Sequence, residues 1–143
     1  MDIRPITPDY AVSPQIAPED LAAIRAAGFT TVIDNRPDAE IPPDLHTDTM
    51  ARAAAAAGLT FVANPVIGGA LTIENVQAQT RAISEATGPV LAYCASGNRS
   101  SIVWALAHAG RRPTDELIAL PARHGYTLEH LRPQLDQLAA SRG

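Results

Sequence analysis

The sequence predicts one α/β domain with a mainly parallel central sheet flanked by helices. Short β-branched or apolar runs, Thr30-Thr31-Val32-Ile33, Leu59-Thr60-Phe61-Val62 and Val90-Leu91-Ala92-Tyr93, alternate with helix-forming stretches, the rhythm of a layered α/β architecture. Each run follows closely on a helix breaker, Gly28, Gly58 or Gly88-Pro89. At 143 residues, 46% hydrophobic and 18% charged, the chain has the size and composition of a single folded domain spanning residues 1–143.

The first element is a short β-like piece, Tyr10-Ala11-Val12. A helix follows Ala17, with Pro18 suited to a first helical position, Glu19 and Asp20 in the first turn, and Leu21 and Ile24 spaced to face a core. The strand Thr30 to Ile33 ends in the polar loop Asp34-Asn35-Arg36-Pro37-Asp38. Alanine-rich helix is expected from Asp48 to Ala57, then the strand Leu59 to Val62. Thr72 suits an N-cap for a helix to about Ala86 that turns Ile73, Val76 and Ile83 inward. After the strand Val90 to Tyr93, helices are expected over Ser101 to Ala109, around Asp115 to Arg123 and from Leu128 to Ala140, with Pro121 and Pro133 interrupting the last two.

Charge and cysteine content narrow the function classes. Eleven Lys+Arg against fifteen Asp+Glu give a net charge of -4, and no basic stripe follows a phosphate backbone, so no nucleic-acid partner is expected. No stretch approaches the roughly 20 apolar residues that span a bilayer, so no membrane partner and a cytoplasmic location are expected. A single cysteine forms no intramolecular disulfide and no thiolate pair for structural zinc. His46, His108, His124 and His130 show no metal-ligand spacing, so neither metal nor cofactor is assigned. Trp104 at helical spacing from His108 reads as core.

The chemistry concentrates at Cys94-Ala95-Ser96-Gly97-Asn98-Arg99-Ser100, which joins a predicted strand to a predicted helix. Ligands of parallel sheets bind beyond the carboxyl ends of the strands. Backbone N–H groups at such a turn, with the dipole of the helix behind them, favour negative charge at their centre. Gly97 allows a positive φ, Arg99 supplies a planar fork of donors for an oxyanion, and Ser100 is placed to donate to the sulfur. Ala95, Ser96, Gly97, Asn98 and Arg99 thus form the anion-binding loop, with Cys94, Arg99 and Ser100 as the reacting set.

Tyr-Cys-Ala-Ser-Gly-Asn-Arg-Ser resembles the active-site loop of single-domain rhodaneses, with four residues between Cys94 and Arg99 where phosphatase loops have five. The segments Ile3-Arg4, Val12 to Ile16, Val32 to Asp38, Gly125-Tyr126 and Leu131-Arg132-Pro133 are similar to domain-of-unknown-function family 442, the β-lactamase-hydrolase-like, phosphatase-like domain. That resemblance implies a protein-tyrosine-phosphatase-like three-layer fold. It also implies a role in sulfide and persulfide metabolism beside a persulfide dioxygenase, with sulfur transfer and phosphatase activity both on offer.

Between these the residues favour a sulfurtransferase carrying a persulfide on Cys94, with a small anionic or persulfide substrate and a thiol acceptor such as glutathione. A cysteine phosphatase protonates its leaving oxygen, and the corresponding stretch here, Asn64 to Leu71, carries no carboxylate. Sulfur transfer leaves a more stable anion. Ala95 also stands where such loops often carry a basic residue, and Tyr93 where phosphatases commonly carry His. The alternatives are a cysteine-dependent phosphatase forming a phosphocysteine, and a non-catalytic anion-binding module. On the loop after Thr30 to Ile33, Asn35 and Arg36 are candidate substrate-binding residues, whereas Asp38 and Glu40 read as local turn formers.

Overall fold

The structure, a computed structural model, describes residues 1–142. Five strands, β1 (Arg4–Thr7), β2 (Tyr10–Ser13), β3 (Thr31–Asp34), β4 (Thr60–Ala63) and β5 (Val90–Tyr93), form one sheet in the order β1-β2-β5-β3-β4. Only β1 runs antiparallel, against β2. The pairs β2 with β5, β5 with β3 and β3 with β4 are parallel. β5 therefore occupies the centre of the sheet, and its carboxyl end lies between those of β2 and β3. β1 carries Pro5, which weakens its strand signal in the sequence and which a sheet tolerates at an edge.

Among the described residues six α-helices cover the two faces: α1 (Leu21–Ala26), α2 (Thr47–Ala56), α3 (Ile73–Glu85), α4 (Asn98–His108), α5 (Thr114–Ala122) and α6 (Arg132–Arg142). The strands divide their side chains by alternation. Tyr10, Val12, Ile33, Val90 and Ala92 join α3 through α6 in one buried cluster with Trp104, Leu117 and Leu135. Ala11, Val32, Leu91 and Tyr93 join Leu21, Ile24, Met50 and Ala54 of α1 and α2 in the other. The fold is the α/β three-layer arrangement with a mostly parallel sheet. Among the described residues no helix is long and apolar enough to cross a membrane.

Three expectations about elements change. α4 begins at Asn98 rather than Ser101, because Gly97 takes the N-cap at φ 95°. The inward face of α3 is Val76, Gln79 and Ala82, while Ile73, expected inside, is 54% exposed. Ile73 opens the first turn of α3 outside its packed face, and a polar Gln79 takes the core position because its amide is fully bonded. The helix expected from Leu128 opens instead as a 3-10 turn, Glu129–Leu131, so that Pro133 falls in the first turn of α6, where its missing N–H has no intrahelical partner to lose.

α4 is surrounded by protein, with Ser100, Ser101, Val103, Trp104, Ala105, Leu106 and Ala107 all buried. His108 closes it, its ring centroid 5.1 Å from that of Trp104 and its Nδ1–H donating to the Trp104 carbonyl at 2.9 Å. Burial holds the imidazole below its ordinary value of 6.5, against the pull of that hydrogen bond. The unfolded chain thus takes up the proton more readily, and this part of the stability is present above pH 6.5 and lost as pH falls below it. Urea unfolding at neutral and at mildly acidic pH is expected to show a smaller drop for His108→Gln than for the parent. Equal drops would remove His108 from the account.

Candidate active site

Because β5 is central, the residue after it emerges between two parallel neighbours, and the backbone carries the ladder on past the strands. The Cys94 N–H donates to the Ser13 carbonyl at 3.4 Å, and the Gln15 N–H to the Ala95 carbonyl at 3.3 Å. Cys94 is fully buried at the base of the loop. The chain turns at Gly97, whose N–H donates to Cys94 Sγ at 3.1 Å, and the Asn98 N–H donates to Ser96 Oγ at 3.3 Å. The sulfur thus accepts from the N-cap of α4, the end of a helix where unpaired amides and the dipole favour an anion. Ala95, Ser96 and Asn98 are exposed around it.

Arg99 leaves the first turn of α4 toward the outer strands. Nη1 donates to the Val66 carbonyl at 2.8 Å and to Glu40 Oε2 at 2.7 Å, and Nη2 donates to Glu40 Oε1 at 2.7 Å. Hydrogen bonding by Arg99 holds the Glu40 carboxyl below the ordinary carboxylate range, so Glu40 is ionised at neutral pH. Arg36 meets the same carboxylate, Nε to Oε1 at 3.3 Å, and donates through Nη1 to Gln15 Oε1 at 3.2 Å.

Beneath the loop is a buried polar network. Ser100 Oγ donates to Asn35 Oδ1 at 2.9 Å, and Gln79 Nε2 donates to the same oxygen at 3.2 Å and to Tyr10 Oη at 3.0 Å. Gln79 Oε1 accepts from Asn35 Nδ2 at 2.9 Å and Asn64 Nδ2 at 2.8 Å. Tyr10 Oη donates to the Ser100 carbonyl at 2.9 Å. Every member is satisfied, which makes the network a rigid seat for the start of α4.

Above the loop, Tyr126 Oη donates to the Ser96 carbonyl at 2.7 Å and accepts from Arg4 Nη1 at 2.7 Å. This contact leaves no room at Gly97, where an added Cβ would lie 2.2 Å from Tyr126 Oη at a φ of +95°. Gly97→Ala is expected to cost about 2 to 4 kcal/mol of stability through left-handed strain and displacement of Tyr126. Adding Tyr126→Phe is expected to recover part of it, because the strain at φ remains. Chemical unfolding checks both, and a loss under about 0.5 kcal/mol, the ordinary surface value, would refute the steric account.

Cys94 and Gly97 meet in the loop and Arg99 follows in the first turn of α4, while the structure alters the surroundings expected for Ser100, Asn35 and Glu40. Ser100 does not donate to the sulfur, since its single hydroxyl hydrogen is used on Asn35. Asn35 is buried under the loop with its amide committed to Asn64, Gln79 and Ser100, which makes it a support rather than a substrate contact. Arg36, the other candidate substrate-binding residue, donates to Glu40 and Gln15 at the rim of the loop. Asp38 is a turn former, accepting from the Thr47 N–H at 2.8 Å. Glu40, expected to be one too, instead reaches Arg99. The available signal was its place on the loop after β3, which ends at the same sheet edge as the Cys94 loop.

Residues 2–111 match the family described as β-lactamase hydrolase-like protein, phosphatase-like domain. A β-lactamase hydrolase-like protein from Xylella fastidiosa is 36% identical over 130 residues, covering 90% of this chain and 30% of the relative. The chain therefore spans under a third of that relative's length. A proposed phosphatase from Neisseria meningitidis is similar in structure, with a TM-score of 0.82 and 32% identity over 96% of this chain and 99% of that one. The structure of Tk-PTP in its active form shares the fold at a TM-score of 0.76 and 20% identity, covering 99% of this chain and 97% of that one. The family match backs the phosphatase-like expectation, the solved structures share its fold, and none of them supports the sulfurtransferase favoured above.

Proposed function

Since the chain belongs to the β-lactamase hydrolase-like protein, phosphatase-like domain family, we propose that it is a cysteine-dependent phosphate-ester hydrolase with Cys94 as nucleophile. The observation that carries this reading is the buried Cys94 sulfur held 3.1 Å from the Gly97 N–H at the start of α4, with Arg99 in the helix's first turn. The thiolate attacks phosphorus, forming a P–S bond as the ester P–O bond breaks. The loop amides and the Arg99 fork hold the non-bridging oxygens. Water then attacks phosphorus and breaks the P–S bond, releasing inorganic phosphate and regenerating Cys94.

The departing oxygen needs a proton, and Glu40, the carboxylate nearest Arg99, is held ionised. Esters whose leaving group is stable as an anion are the substrates that tolerate this, so aryl phosphates are expected to turn over far faster than alkyl phosphates. An apolar groove of about 260 Å³ beside Arg99, lined by Val66, Ile67, Leu71 and Ile102 among others, offers space for such a group.

The absence of a carboxylate from Asn64 to Leu71 favours a second reading, sulfur transfer through a Cys94 persulfide to an acceptor thiol such as glutathione. One pair of measurements separates them. Under the first reading, wild type but not Cys94→Ser hydrolyses an aryl phosphate, and incubation with a persulfide donor leaves the intact mass unchanged. Addition of one sulfur to wild type alone, without phosphate release, would replace the first reading by the second.

A further inference from the structure

The Arg99 guanidinium, the fork assigned above to the substrate's oxyanion, is already occupied end-on by a carboxylate. Both terminal nitrogens meet the two Glu40 oxygens at 2.7 Å, the geometry with which arginine takes any planar or tetrahedral oxyanion. Glu40 also has a second cation within reach, Arg36 Nε at 3.3 Å. The loop that carries Glu40 is anchored behind it, because the Thr47 hydroxyl lies 3.1 Å from Asp34 Oδ2 and 3.0 Å from Asp38 Oδ1. The Glu40 side chain is one-third exposed, so it is free to swing while its loop stays in place.

We propose that Glu40 determines the specificity of the anion site by acting as a resident competitor, with substrate entering by exchange and Glu40 passing to Arg36. The proposal rests on the reading that Arg99 holds the substrate's oxyanion. Exchange penalises any ligand that offers Arg99 no more than Glu40 already does. A carboxylate or other planar monoanion gains little. A tetrahedral dianion, such as a phosphate monoester, gives two oxygens to the fork and keeps others for the amides around Cys94. Glu40 thus selects dianions and keeps the site from filling with cellular carboxylates.

The test measures how inorganic phosphate, and separately acetate, protects Cys94 from alkylation by uncharged iodoacetamide, in wild type, Glu40→Gln, Glu40→Ala and Arg99→Met. Thermal melting confirms that each variant is folded. Both Glu40 variants are expected to bind phosphate about three- to tenfold more tightly, the range for a partly exposed charge pair, and to be protected by acetate where wild type is not. Weaker phosphate binding in the Glu40 variants would make Glu40 a support for Arg99, and unchanged binding would make it a bystander. Either overturns the proposal while leaving the anion site intact, provided Arg99→Met loses phosphate. If phosphate protects no form, or protects Arg99→Met as well as wild type, the oxyanion reading of Arg99 fails and the competitor role falls with it.

Discussion

Arg99→Lys is expected to lower Cys94-dependent kcat/KM by at least about a hundredfold, roughly 3 kcal/mol of transition-state stabilisation. Arg99 uses one nitrogen on the Val66 carbonyl and Glu40 together and the other on Glu40 alone. A lysine ammonium is a single point and cannot hold the carbonyl while presenting two parallel donors to an oxyanion. The charge is kept, so the loss reads geometry rather than electrostatics. Arg36→Lys, which alters the more distant cation on Glu40, is expected to change kcat/KM by less than about tenfold, below the bidentate value. Steady-state kinetics on an aryl phosphate checks both, and an Arg99→Lys enzyme within threefold of wild type would exclude the fork from the reaction.

Gln79→Leu is expected to cost about 2 to 4 kcal/mol, four hydrogen bonds at roughly 1 kcal/mol each with little change in volume. Its amide bonds Asn35 twice, Asn64 and Tyr10. Each of these keeps another partner, which stops the cost from rising further. Because Asn35 and Tyr10 in turn hold Ser100, the variant is also expected to show faster amide exchange in the first turn of α4. Gln77→Leu, on the exposed side of the same helix, is the control. Equal unfolding free energies for the two variants would show that the network contributes nothing beyond burial.

Much of the fold was legible because its signals are local. Gly28, Gly58 and Gly88-Pro89 each close a helix ahead of a strand, and the run Val90–Tyr93 coincides with β5. The Cys94 loop was legible for the same reason: Cys94, Gly97 and Arg99 lie within six residues, so a strand end, a left-handed turn and a helix start suffice to place them in one turn of chain. β1 escaped notice because an edge strand containing Pro5 is recognised by its partner β2 rather than by its own pattern.

The remainder of the site depends on contacts that no local pattern encodes. Glu40 and Arg99 are 59 positions apart, and they meet because β3 and β5 run parallel and adjacent, delivering both following loops to one edge. Gln79 looks like a surface glutamine until α3 packs on α4 and turns it toward Asn35 and Tyr10. Tyr126 reaches Ser96 only because the chain after α5 returns across the loop. The sequence alone therefore determined the α/β layering and the loop that carries Cys94 and Arg99, since each rests on propensities and spacings within a few residues. Packing decided what holds them: the role of Ser100 and Asn35 as support, and the placing of Glu40 on Arg99. A side chain's partner is set by which strands neighbour each other, and that is a property of the assembled sheet.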